Sequence, residues 1–149
     1  MHTQTHSVLI GYLTWLLGFT GAHRFYFGRP VSGTIYFFTF GLLGVGWVID
    51  LFLIPSLAQT ASWKYEAGPV DYNLTWLLLA WLGPVGVHRF YMGRWISGGC
   101  ELAMTLLIVG SGGFLAIIFG LPLAMMHLID LWSLNEQVDD TNRRLNGPA

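Results

Sequence analysis

The chain has 149 residues, 54% of them apolar and only 10% charged, and its formal net charge is −1. Soluble domains carry about a quarter charged residues, so too few polar side chains remain here to cover a water-facing surface, and an all-α integral membrane protein is expected. Near-neutral charge without a basic stripe excludes nucleic acid as a partner, and a single cysteine, Cys100, excludes an internal disulfide or a paired-cysteine zinc site.

Met1 to Ser7 is a short polar tail whose His2 and His6 read as part of a flexible end. It lacks a positive n-region, and the apolar run after it leads into no cleavage site, so that run reads as a retained span. Val8 to Thr20 would give only about 20 Å of helix against a hydrocarbon core of roughly 30 Å. The shortfall closes if the helix continues through His23, Arg24, Phe25, Tyr26 and Phe27, with Arg24 snorkelling at the headgroups. Gly28 suits a helix C′ position and Pro30 the first turn of the next helix, so Gly28-Arg29 is a tight hairpin turn.

A second helix is expected from Pro30 to Ile54, with Gly41, Gly44 and Gly46 for close packing and Trp47 near its far interface. Pro55 should end it. Residues 56–71 form a polar connector, in which Trp63 and Tyr65 could lie on the membrane surface and Gly68-Pro69 breaks structure.

The pattern then repeats. Gly21-Ala22-His23-Arg24-Phe25-Tyr26-Phe27-Gly28-Arg29 returns as Gly86-Val87-His88-Arg89-Phe90-Tyr91-Met92-Gly93-Arg94. Each copy follows a run with Thr-Trp-Leu and a glycine (Gly18, Gly83). Each precedes Ser-Gly and a longer apolar run ending in Ile-Asp-Leu, at Asp50 and at Asp130. One structural unit is used twice: residues 7–55 and 72–132, followed by a polar tail at 133–149. In the second copy Pro84 replaces Phe19 and should kink the helix. The second run is also longer, and Gly110-Ser111-Gly112-Gly113 marks a kink, a re-entrant break or a turn. Beyond it Gly112, Ala116, Gly120 and Ala124 recur at every fourth position as a small-residue packing ridge. In the tail, Leu134, Val138 and Leu145 share a face, and Asp139–Arg143 and Asp140–Arg144 are i,i+4 pairs of a short amphipathic helix. The expected architecture is two tandem transmembrane hairpins forming a four-helix bundle. The motif turns would face the cytoplasm, with both tails opposite.

His23-Arg24 and His88-Arg89 are the leading candidate site residues. They read as interfacial anchors, with anionic lipid headgroups or a protein partner as the functional alternative. Asp50 and Asp130 read as helix-end acids. On a continuous helix Asp50 would lie about 30 Å from Arg24, which argues against a His–Asp relay. Glu101 falls two turns past Arg94 and reads as an intramembrane acid paired with Arg89 or Arg94; unpaired, it would be expected to protonate. His127 shares a helix face with Asp130, but further metal ligands are not identifiable, so no metal and no cofactor is expected. Cys100 lacks an adjacent base, and neither a phosphate loop nor a serine-nucleophile motif occurs, so an enzyme is not expected.

The pattern Gly-x-His-Arg-Phe-Tyr-x-Gly-Arg between two apolar runs resembles the TM-two (two-transmembrane-helix) domain family. The matching positions are Gly21, His23, Arg24, Phe25, Tyr26, Gly28, Gly33, Trp47 and Asp50, and then Gly86, His88, Arg89, Phe90, Tyr91, Gly93, Gly98 and Asp130. The His-Arg-Phe here stands where animal members carry Asp-Arg-Phe. The resemblance implies a small multi-pass membrane domain, often of a bacterial inner membrane, with no established enzymatic activity. The function expected is helix packing in the bilayer with a second copy or another membrane protein. The alternative is a small oligomeric transporter or channel using Glu101 and the His-Arg-Phe turns.

Overall fold

A computed structural model describes residues 4–16 and 20–147; His2, Gly18, Phe19 and Pro148 lie outside them. Among the described residues the regular elements are helical: α1 (Val8–Leu16), α2 (Ala22–Tyr26), α3 (Pro30–Leu43), α4 (Val45–Lys64), α5 (Tyr72–Leu82), a 3-10 turn (Gly83–Val85), α6 (Val87–Tyr91), α7 (Trp95–Gly110) and α8 (Ala116–Asn146). The protein is an all-α membrane protein. Of its helices, α4 and α8 are long and apolar enough to cross a bilayer. Where four spanning helices were expected, the last of them kinked or broken at Gly110-Gly113, each apolar run is divided.

The chain forms two compact units, residues 1–73 with 135–149, and residues 74–134. In the first, the helix does not continue from α1 through the motif. Gly21 takes φ +73°, in the left-handed region, and turns the chain so that α2 runs back along α1. Tyr26 Oη accepts from the Ser7 amide at 2.7 Å, at the very start of α1. The motif is thus a short re-entering helix folded onto its own unit.

The turn after it is built as its residues suggest. Gly28 at φ +67° lets its N–H reach the Phe25 carbonyl (3.0 Å) and Arg29 N–H the Arg24 carbonyl (2.8 Å), closing α2 in a Schellman arrangement. Pro30 occupies the first turn of α3. In the second unit Gly93 does the same, with Gly93 N–H to Phe90 and Arg94 N–H to Arg89 at 2.9 and 2.8 Å.

The helix expected from Pro30 to Ile54 is broken. Phe40, Gly41, Leu42, Leu43 and Gly44 all have positive φ, so the chain reverses its helical hand between α3 and α4. Thr39 bridges the break, its hydroxyl donating to the Ile35 carbonyl (2.7 Å) and accepting from Leu42 N–H (3.1 Å). Tyr36 packs so closely on Gly46 that a Cβ there would come within 2.4 Å of its hydroxyl. Pro55 does not end α4 but sits inside it. Proline cannot donate to the carbonyl four residues earlier, and Tyr12 Oη on α1 donates to that Leu51 carbonyl instead, at 3.3 Å.

His6 and Tyr65 also depart from expectation. Both are buried rather than flexible or on a surface. The His6 ring lies 5.0 Å from Tyr26, 5.5 Å from Tyr65 and 4.9 Å from Tyr72, and its Nε2 is 3.4 Å from Asn135 Oδ1. The tail is no separate short helix: α8 runs without interruption from Ala116 to Asn146 and contains Pro122. Its Leu134 and Val138 are buried while Leu145 is exposed, and Asp139 pairs with Arg143 at 2.9 Å.

In the second unit, Pro84 breaks rather than kinks the helix, α5 giving way to the 3-10 turn and then to Gly86 at φ +75°. Gly112 and Gly113, both at positive φ, lie in a turn between α7 and α8. The turn is a full reversal. A continuous helix would hold Glu101 and Asp130 about 43 Å apart; here their carboxylates approach within 4.8 Å. Gly112 therefore does not belong to the small-residue ridge. Ala116, Gly120 and Ala124 remain on α8, with nothing but Ala116 Cβ (3.9 Å) near a Cβ built on Gly120.

Candidate functional site: a buried His-Arg-Asp cluster in each unit

The left-handed turns at Gly21 and Gly86 decide where the motif side chains go. A Cβ on Gly21 would sit 2.7 Å from the Gly33 carbonyl, and one on Gly86 2.8 Å from that of Gly98. The backbones therefore touch at the glycines of the two Ser-Gly pairs. Phe25 and Phe90 lie over the same glycines, whose Cβ atoms would meet their rings at 2.8 and 3.0 Å. This close approach accounts for the shared spacing of Gly, Phe and Ser-Gly, and it aims His and Arg into the unit.

In the first unit His23 Nε2 donates to Asp50 Oδ2 at 2.7 Å. Arg24 clamps the same carboxylate with a two-point fork, Nε to Oδ2 at 2.8 Å and Nη2 to Oδ1 at 2.6 Å. Its Nη2 also donates to the Tyr36 hydroxyl at 2.7 Å, and the guanidinium lies 3.8 Å from that ring's centroid. His23 and Asp50 are fully buried and the Arg24 side chain is 14% exposed. Beside them Trp15 and Trp47 stack at 4.5 Å, each indole N–H donating to the other's carbonyl at 2.8 and 3.1 Å.

Three expectations are corrected here. Asp50 and Asp130 are not helix-end acids; they lie well inside α4 and α8 and are buried. Nor are the aspartate and the motif pair on opposite faces, because the reversal at 40–44 brings α4 back beside α2. The motif arginines consequently lie within their units instead of snorkelling to headgroups.

The second unit repeats the geometry with one addition. His88 Nε2 donates to Asp130 Oδ2 at 2.8 Å, and Arg89 reaches the same oxygen from Nε (3.0 Å) and Nη2 (2.7 Å). Glu101, 0% exposed, places Oε1 3.1 Å from Arg89 Nε. That nitrogen's single N–H is spent on Asp130, and neither Glu101 oxygen receives a well-directed hydrogen bond. The contact is charge proximity without a hydrogen bond. His127 bonds the Leu123 carbonyl through Nδ1 at 3.1 Å, while its buried Nε2 has no partner.

Arg29 and Arg94, the outer arginines of the motif, are exposed, as is Cys100. Tyr91 is half-buried and Tyr26 fully buried. The sequence reading missed Tyr36 as the third partner of Arg24; its signal is its place fifteen residues after Gly21, where Glu101 stands after Gly86.

Comparison with known proteins fits this duplication. The family profile described as TM2 domain matches the chain in two segments, residues 4–52 and 68–122. A TM2 domain-containing protein of Dictyostelium discoideum is 47% identical over 62 residues, covering 41% of this chain and 40% of the relative. A second from the same organism is 56% identical over 41 residues, covering 28% of this chain and 30% of the relative. These relatives lend no support to the bacterial source expected from the sequence. No solved structure matches the chain.

Proposed function

The chain belongs to the TM2 domain family, and from that premise we propose that it is a non-enzymatic, multi-pass membrane protein that acts by packing a helix surface against a second copy or another membrane protein. The observation that carries this reading is α8. Only 11% of its most apolar stretch is buried within the chain, with Ile117 82% and Leu121 71% exposed. Lipid covers such a surface adequately, but lipid does not call for Ala116, Gly120 and Ala124 in register along it; a close helix neighbour does. In both units the motif histidine and the arginine beside it are committed to an aspartate, which favours a structural role for that pair over chemistry on a substrate. Anionic headgroups would meet Arg29 and Arg94, the exposed arginines of the turns; because α2 folds back to Ser7 and Asn135, the first turn shares its end of the unit with both tails, and on charge grounds that end is proposed to be cytoplasmic.

Gly120→Leu tests the reading. It should change the oligomeric state or strip co-purifying membrane proteins in mild detergent, while Ala103→Leu, on the exposed face of α7, should not. Unchanged assembly in Gly120→Leu would refute it. Labelling of a cysteine placed after Arg144, in a Cys100→Ser background, against one placed at Arg94 reports whether the tail and the motif turn lie on opposite sides.

A further inference from the structure

We infer that the second unit, and not the first, holds a binding site for one exchangeable proton, carried by Glu101. The inference goes beyond the packing role and does not depend on which partner α8 meets.

It rests on counting charge in two clusters of the same geometry. In the first unit one guanidinium, Arg24, faces one carboxylate, Asp50, and the third partner is the neutral hydroxyl of Tyr36. The buried charges cancel. In the second unit one guanidinium, Arg89, faces two carboxylates, Asp130 and Glu101, all three buried. The groups facing Glu101 are Arg89 and His88 from α6 and Asp130 and His127 from α8; Arg94, just before α7, lies out at the exposed turn. Ionised, the pair of acids leaves one negative charge in excess inside an apolar helical unit, and an uncompensated buried charge is among the costliest arrangements a protein can hold.

Three observations place the compensating proton on Glu101. Asp130 already accepts from His88 and Arg89, so its charge is the one stabilised by hydrogen bonds. Glu101 has two buried oxygens and no hydrogen bond to either. A proton on His88 or His127 instead would leave Glu101 ionised with both oxygens buried and no hydrogen bond to either. A metal ion fits worse than a proton. The Arg89 guanidinium lies between the carboxylates, and a divalent cation would turn an excess of one negative charge into an excess of one positive.

The test is infrared spectroscopy of the full chain in lipid nanodiscs at neutral pH, where surface carboxylates are ionised. The expected result is a protonated-carboxyl C=O band equivalent to one group, shifted on transfer to heavy water, lost in Glu101→Gln and in Glu101→Tyr, which installs the residue of the first unit. Tyr36→Glu should add a second such band. A wild-type protein with no protonated-carboxyl band overturns the proposal without recourse to any variant. So does a band that survives in Glu101→Gln but disappears in Asp130→Asn. Stoichiometric metal in the wild-type protein that is lost in Glu101→Gln also overturns it, in favour of a metal site.

Discussion

Fifteen residues after Gly21 the first unit has Tyr36, and three before Asp50 it has Trp47; at the same distances the second unit has Glu101 and His127. Around those positions the two units use the same backbone turns, the same phenylalanine over glycine and the same His-Arg-Asp cluster. In the first, every one of these variable groups is satisfied: Tyr36 accepts from Arg24, and Trp47 exchanges indole hydrogen bonds with Trp15. In the second, Glu101 and His127 Nε2 are buried without hydrogen-bond partners. The cluster is therefore a staple that holds a re-entering helix against the helix behind it, and it tolerates different chemistry beneath. What differs beneath it is where a unit can acquire a property its twin lacks.

The largest effect that could break this comparison is removal of the shared acid. Asp50→Asn leaves Arg24 and His23 without a counter-charge, and breaking a buried ion pair costs about 3–5 kcal/mol. Asp130→Asn leaves Arg89 still beside Glu101, which then ionises to pair with it, so the loss should be roughly half as large. Unfolding of each variant in mixed micelles measures the difference. A cost for Asp130→Asn equal to that of Asp50→Asn would show that Glu101 does not substitute.

Much of this was readable before the fold. The duplication, the glycine-proline turn at 28–30 and the all-helical membrane character follow from motif, cap chemistry and composition. The spacing of Glu101 from the second motif is the signal behind its approach to Arg89. The distance between Asp50 and Arg24 was misjudged for one reason: the run from Pro30 to Ile54 is predominantly apolar on both sides of 40–44, so hydropathy carries no trace of the reversal there. Gly41 and Gly44 are the only chemical hints, and membrane helices use glycine equally for packing. Pro55 was misread because a carbonyl freed by proline can be rescued by a distant hydroxyl, here Tyr12, which local sequence does not reveal.

Acid sharpens the comparison at the opposite end of the first unit, which holds the buried His6. Burial pushes its imidazole down from 6.5 to about 4. Because the folded value is the lower one, the stabilisation is complete above pH 6.5 and is lost as pH falls through about 4, by up to about 3 kcal/mol. The Ser7 amide, held by Tyr26 and Asn73, should then lose protection, its exchange approaching the intrinsic rate as pH is lowered through this window. His6→Gln should abolish that acid dependence. An acid response unchanged in His6→Gln would place its origin elsewhere.

The two turn glycines give a smaller contrast. Gly28 and Gly93 both have left-handed φ, so alanine costs about 1–2 kcal/mol at either from backbone strain alone. At Gly28 a Cβ would also fall 2.2 Å from the Tyr65 hydroxyl, whereas nothing lies within 4 Å of one on Gly93. Gly28→Ala should be the more destabilising, and thermal unfolding of the two single variants reads it directly. Equal losses would mean that Tyr65 swings aside at little cost.

The smallest effect tests the part of the comparison in which the units are alike. Ser32 Oγ donates to the Arg29 carbonyl at 3.1 Å, and Ser97 Oγ to the Arg94 carbonyl at 3.2 Å, both exposed. An exposed hydroxyl exchanges this bond for one to water, so the net value is at most about 0.5 kcal/mol. Alanine gains back a little in helix propensity at the same position. Ser32→Ala and Ser97→Ala should therefore differ from wild type, and from each other, by no more than a few tenths of a kcal/mol in paired unfolding measurements. A clear gap between them would mean that the two turns are not equivalent. The difference between the units would then begin at the turn itself, and not at Tyr36 and Glu101 behind it.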